Sequence, residues 1–264
     1  VNLREVFQSC QDEKRAALIG YLPAGFPTVE GSKKLFDAML SGTGDKPGCD
    51  IVEVGVPFSD PVMDGPTIQR ASETALRAGF RLRDTFDVVS SIADSGRAAV
   101  VMTYWNPVHR YGLEAFARDL KAAGGLGVIT PDLIPDEADE WIEATDKHGL
   151  DRIFLVAPSS TEERLALTTR ASSGFVYATS VMGVTGARAQ VGEAAAKLVQ
   201  RTRAHTDLPI CVGLGVRSQQ QAAEVASFSD GVISGSAFVA RAEEQGPDGV
   251  AELAAELGSG VRSR

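Results

Sequence analysis

The sequence is poor in the residues that mark several functional classes. Its three cysteines, Cys10, Cys49 and Cys211, are too few and too far apart for a disulfide framework or a zinc site, and read as small packing residues. No uncharged apolar run exceeds about eight residues, whereas a membrane-spanning helix requires roughly 20. The opening VNLREVFQSC lacks a charged-then-apolar signal pattern, so the expected location is the cytoplasm. Basic stripes are also missing. With a net charge of -9, nothing is offered to a nucleic-acid backbone, although backbone N–H groups alone can hold one small phosphate. Gly and Pro are scattered rather than clustered, and no linker, charged block or low-complexity segment divides the 264 residues, which read as one domain.

What is present is a regular alternation. Eight short β-branched or apolar runs recur: 17–22, 50–55, 98–104, 126–130, 152–157, 174–179, 208–213 and 230–235. Between them lie stretches of helical spacing, among them 66–79, 112–124, 136–149 and 217–228; in the second, Leu113, Phe116, Ala117 and Leu120 share a face. Strand alternating with helix eight times predicts a (β/α)8 barrel, with a further helix over 2–13 that caps its bottom. An open doubly wound sheet shares this local grammar. The strand count favours closure, as does the lack of a GxGxxG fingerprint, since GLGVRS follows the seventh run instead of the first.

The second run, IVEVG, carries a glutamate. Side chains alternate along a strand, so Val52, Val54 and Val56 face the helix layer and Glu53 points into the barrel, near the end that opens to substrate. Burial raises a carboxyl pKa toward the range where it both gives and takes protons at neutral pH. A structural ion pair is the alternative, but no run contains a lysine and the one strand arginine, Arg152, opens the fifth run at the opposite end. Asp60 and Asp64 follow in the loop PFSDPVMDGP. Either has a functional reading and a local one: Asp60 starts a turn before Pro61, and Asp64 favours the dipole of a helix beginning at Pro66.

Small-residue clusters follow the last three runs, GVTGAR, GLGVRS and SGSAF, and together they predict a phosphate site built from backbone N–H groups. The chemistry is narrowed by what is missing. A Schiff-base aldolase needs a strand lysine, and a metal-dependent one needs converging histidines; His148 and His205 fall at helix ends, and His109 in a loop on the active face. No metal is expected.

Together, EVGVPFSDPVMDGPTIQ, YWNPVHRYG, TPDLIPDEA, SVMGVTGAR and VGLGV resemble the tryptophan synthase alpha chain family over essentially the whole chain. The resemblance implies a barrel lyase that cleaves indole-3-glycerol phosphate to indole and glyceraldehyde 3-phosphate. It also implies a beta chain partner in an alpha2-beta2 complex, with pyridoxal phosphate on the partner and no cofactor in this chain. By motif, Glu53 and Asp64 correspond to the catalytic acids and Tyr177 to a tyrosine beside them. Gly186, Gly215, Gly235 and Ser236 correspond to phosphate contacts, and Tyr21, Met102, Asp132, Thr185 and Leu214 to the substrate pocket. Asp60, Asn106 and Pro107 correspond to the partner surface. Met63, Val181, Met182 and Leu214 depart from the residues usual in the family, without removing a reacting group. Other readings stay open: another phosphate-binding barrel enzyme, such as an isomerase or decarboxylase; a stand-alone lyase releasing free indole; or a subunit that chiefly activates a larger enzyme.

Overall fold

The computed structural model describes residues 1–180 and 188–263. Nine parallel strands form one sheet: β1 (Ala17–Pro23), β2 (Ile51–Gly55), β3 (Ala98–Met102), β4 (Gly127–Ile129), β5 (Asp151–Ile153), β6 (Leu155–Val156), β7 (Val176–Thr179), β8 (Ile210–Gly213) and β9 (Gly231–Ser234). Their order is β5-β4-β3-β2-β1-β9-β8-β7-β6. The two outermost strands are separated by Phe154 alone, so they are two halves of one stave: β5 pairs with β4, and β6 with β7. The sheet therefore closes on itself, and the eight apolar runs map onto the eight staves of a (β/α)8 barrel. Phe154 packs into the outer core while Ile153 and Leu155 face inward, which keeps the alternation through the break.

Eleven α-helices accompany the strands among the described residues: α1 (Leu3–Asp12), α2 (Val29–Ser41), α3 (Pro66–Arg77), α4 (Asp84–Asp94), α5 (Trp105–Tyr111), α6 (Leu113–Ala122), α7 (Asp139–His148), α8 (Glu162–Ala171), α9 (Arg188–Arg203), α10 (Gln219–Ala226) and α11 (Ser236–Val261). Helix α1 begins in a capping box, Asn2 with Glu5, that satisfies two of its free N–H groups. Its Leu3, Phe7 and Cys10 close the barrel floor, in one cluster with Ile19, Ile51, Val100, Ile129, Phe175 and Ile233. A second, larger core lies between strands and outer helices and takes Val52, Val54 and Val56. Three alternate residues outward leave the intervening Glu53 and Gly55 facing into the barrel.

The structure shortens one expected element and moves another. The run 98–104 ends as strand at Met102, and Trp105 already opens α5, whose first N–H is held by the Asp132 carboxylate at 2.8 Å. A carboxylate at a helix start is favoured by the dipole, and one reaching in from a distant loop cannot be read from local spacing. His109 accordingly lies in the last turn of α5, exposed, and not in a loop.

Candidate active site

At the C-terminal ends of the strands opens a cavity of about 710 Å³. Its wall includes Tyr21, Glu53, Met102, Leu155, Tyr177, Thr179, Gly213 and Ile233 from the strands, Met63 to Ile68 from the loop and helix after β2, and Gly215, Arg217, Gly235 and Ser236 from the segments after β8 and β9. Residues far apart in sequence meet here because every strand of a parallel barrel delivers its end to the same rim.

Glu53 is 1% exposed, and neither of its carboxylate oxygens has a hydrogen-bond partner among the described residues. Removing a carboxylate from water without compensation disfavours its charged form, and burial pushes the Glu53 pKa up to about 8. At neutral pH the group therefore holds its proton and remains close enough to its pKa to release it. Unpartnered buried acids are costly, and their presence in a cavity wall is the signature of a group kept for proton transfer.

Asp64, in the loop that follows the same strand, is half-buried in the cavity wall. Burial raises its pKa, and a hydrogen bond from Tyr104 opposes the rise. Tyr21, inward on β1 and in register with Glu53, lies within the electrostatic reach of both acids; burial first, then Asp64 and Glu53, push its hydroxyl well above the usual phenol range. Tyr177 behaves likewise, through burial and then Glu53. Two phenols that stay neutral offer hydrogen bonds without adding charge. Gly213 makes room for one of them: a Cβ there would stand 2.6 Å from the Tyr177 hydroxyl.

Gly215, at φ +64°, takes the left-handed conformation that only glycine adopts freely, which turns the chain after β8 beneath the rim. Gly235 precedes α11, so the cavity wall at Gly235 and Ser236 is the N-terminus of a helix, with its partial positive charge and free N–H groups. Arg217, which sequence reasoning passed over in favour of a purely backbone site, lines the same wall. It is exposed, and its guanidinium has no hydrogen bond or ion pair among the described residues. Its signal was present in GLGVRS, as a cation within a glycine cluster.

The structure thus brings Glu53, Asp64, Tyr177, Gly215, Gly235, Ser236, Tyr21 and Met102 around one cavity. Asp132 and Leu214 are not among the described residues lining it: Asp132 is engaged by the Trp105 N–H, and Leu214 packs half-buried against the outer core. Thr185, Gly186, Val181 and Met182 lie outside the described residues. Asn106 and Pro107 line a separate cavity of about 470 Å³ with Pro57, Phe58, Phe80 and Tyr111. Asp60 is exposed nearby in the loop after β2, accepting a hydrogen bond from the Ser59 hydroxyl at 2.7 Å.

Comparison with known proteins places this geometry in context. Residues 7–259 match the family model described as tryptophan synthase alpha chain. The tryptophan synthase alpha chain of Nocardia farcinica is 62% identical over 261 residues, covering 99% of this chain and 96% of the relative. That of Mycobacterium avium is 59% identical over 262 residues, with 99% and 95% covered. A crystal structure of tryptophan synthase from Mycobacterium tuberculosis in an open form superposes with a TM-score of 0.91 at 58% identity, covering 98% of both chains.

Proposed function

The chain belongs to the tryptophan synthase alpha chain family, and from that premise we propose that it cleaves indole-3-glycerol phosphate to indole and glyceraldehyde 3-phosphate. The observation that carries the chemistry is Glu53, buried in the cavity wall with its pKa raised to about 8 and no protein partner for either oxygen among the described residues. Its proton goes to indole C3, and the ring nitrogen becomes positive. Asp64 accepts the hydrogen bond from the indole N–H and stabilises that charge. The Glu53 carboxylate then takes the proton of the glycerol hydroxyl; the carbon–carbon bond breaks, its electron pair returning to the ring, and an aldehyde leaves. Tyr177 and Tyr21 flank the ring, and the phosphate lies against Gly215, Gly235 and Ser236. Neither a metal nor a cofactor of this chain enters these steps.

Incubation with the substrate, with direct detection of indole, tests the reading. Equimolar indole and glyceraldehyde 3-phosphate are expected, and absence of indole would remove it. Arg217 adds charge attraction to the phosphate. Arg217→Gln is therefore expected to raise KM about tenfold with kcat unchanged, the loss of a charge-assisted contact made equally in ground and transition states. A KM equal to that of the parent would take Arg217 out of the site.

The reading includes a beta chain partner in an alpha2-beta2 complex, with pyridoxal phosphate on the partner. Support comes from the apolar side chains left exposed in loops after the strands, Val62 at 80%, Met63 at 54% and Ile134 at 46%, and from the largely apolar cavity that Asn106 and Pro107 line with Phe58 and Phe80. Addition of a beta chain is expected to accelerate indole release, and equal rates with and without it would count against coupling. The cytoplasm is the location that goes with this role; among the described residues, no helix is long and apolar enough to cross a membrane.

A further inference from the structure

We propose that Tyr104 is a positioning residue for the cleavage, its hydroxyl clamping the Met63–Asp64 segment from behind the cavity wall; the inference rests on the role assigned above to Asp64. Tyr104 is 6% exposed and is not among the residues that line the cavity, so it acts on substrate only through its neighbours.

The clamp is built on the hydroxyl of one phenol. Its oxygen accepts the Met63 N–H at 3.0 Å. A phenol that has accepted one hydrogen bond still has its own O–H to offer, and beside the Asp64 carboxylate, on the adjacent residue, it favours the charged form and so opposes the rise in pKa that burial causes. The loop has few other restraints. Val62 N–H donates to the Asp60 carbonyl at 2.9 Å, Asp64 N–H to the Pro61 carbonyl at 3.3 Å and the Gln69 side chain to the Asp64 carbonyl at 2.7 Å, all from within residues 60–69. Among the described residues, the bond from the Met63 N–H to Tyr104 is the hydrogen bond that ties this segment to the barrel.

Tyr104 itself is well held. The Thr103 N–H donates to the Ile129 carbonyl at 3.0 Å, the Thr103 hydroxyl to the Tyr104 carbonyl at 3.0 Å, and the Trp105 N–H to Asp132 at 2.8 Å. Its ring packs on Phe58 at 5.6 Å between centroids. The rim thus transmits its geometry to the locally bonded segment PVMDGP through one hydroxyl. The ionisable groups on the elements around Asp64 and Tyr104 are Tyr21 on β1, Glu53 on β2, Asp132 after β4, which acts on Tyr104, and Arg217 in the wall of the same cavity. Against burial it is Tyr104 that holds the Asp64 pKa down, so its removal raises that pKa further above the ordinary aspartate range.

Tyr104→Phe in the full chain keeps the ring and deletes the clamp. Expected are a fall in kcat of about ten- to a hundredfold, the scale of a misplaced catalytic group, and a KM within about twofold of the parent. The acid limb of the kcat profile is expected to move to higher pH, and the Asp64 carboxyl, followed by NMR in aspartate-labelled protein, to titrate later in the same direction. Phe58→Leu, which alters only ring packing, should leave the pH profile in place. A Tyr104→Phe chain with kcat within about twofold of the parent, or with an unshifted Asp64 titration, overturns the proposal. If the parent chain released no indole, the proposed function would fail, while the NMR titration would still judge the clamp.

Discussion

Glu53→Gln is expected to lower indole formation by about a thousandfold, within the range that a positioned general acid–base contributes, while leaving binding of glycerol phosphate intact. The amide matches the carboxyl in size and carries no transferable proton. Because Glu53 does not touch the phosphate wall formed by Gly215, Gly235 and Ser236, affinity for the phosphate end should be unaffected. Turnover at the parent rate would remove Glu53 from the mechanism.

The same substitution should change the pH dependence of stability. Glu53 titrates at about 8 in the folded chain against an ordinary value of 4.5. Below the ordinary value the carboxyl is protonated in both states and costs nothing. Between the two values the unfolded chain ionises while the folded chain keeps its proton, so stability falls as pH rises, and the full deficit is reached above the folded pKa. That deficit is on the order of 5 kcal/mol. The advantage in melting temperature of Glu53→Gln over the parent should therefore grow through this window and level off above it, reaching roughly 10 °C for a chain of this size. A difference independent of pH would mean that Glu53 is already ionised in the folded state.

Asp50→Ala is expected to destabilise the chain by about 3 kcal/mol, lowering the melting temperature by roughly 6–12 °C, with little effect on turnover at temperatures where the chain is folded. Asp50 lies just before β2 at the end of the barrel opposite the cavity. Its carboxylate receives both Arg15 terminal nitrogens, at 2.8 and 2.9 Å, and the Leu18 N–H at 2.8 Å; its own N–H donates to the Leu18 carbonyl at 2.9 Å. The Arg15 and Asp50 side chains are only 7% and 13% exposed. Removing the acid leaves a buried guanidinium with Glu13 and the Ala16 carbonyl as its remaining partners. Replacing both partners with apolar residues, Arg15→Met with Asp50→Leu, should recover most of the loss, because the cost lies in the uncompensated charge and not in the missing pair. A melting temperature for Asp50→Ala within about 2 °C of the parent would show that water and Glu13 suffice for Arg15.

The legibility of this protein divides along a physical line. Alternation along a single strand is a local property, so IVEVG alone determined that Glu53 faces away from its valines, and eight such runs with helical stretches between them determined the barrel. The glycines after the last runs and the cation in GLGVRS were equally open to reading. Other features arise only when distant segments meet. The break at Phe154 reflects the closure of the sheet on itself, since each half of that stave bonds a different neighbour. Asp132, read by motif as a pocket residue, is taken up by the start of α5, and its loop and that helix are brought together by the barrel rim. Tyr104 and Asp64 lie 40 residues apart in the chain; only the pairing of β2 with β3 puts the phenol behind the carboxylate. The sequence by itself pointed to Glu53, Asp64 and Tyr177 as the groups proposed to carry the chemistry, and the structure gathers them at one cavity. Tertiary structure decided which of them are held in place, because burial and hydrogen bonds between separate elements depend on neighbours that local spacing does not specify.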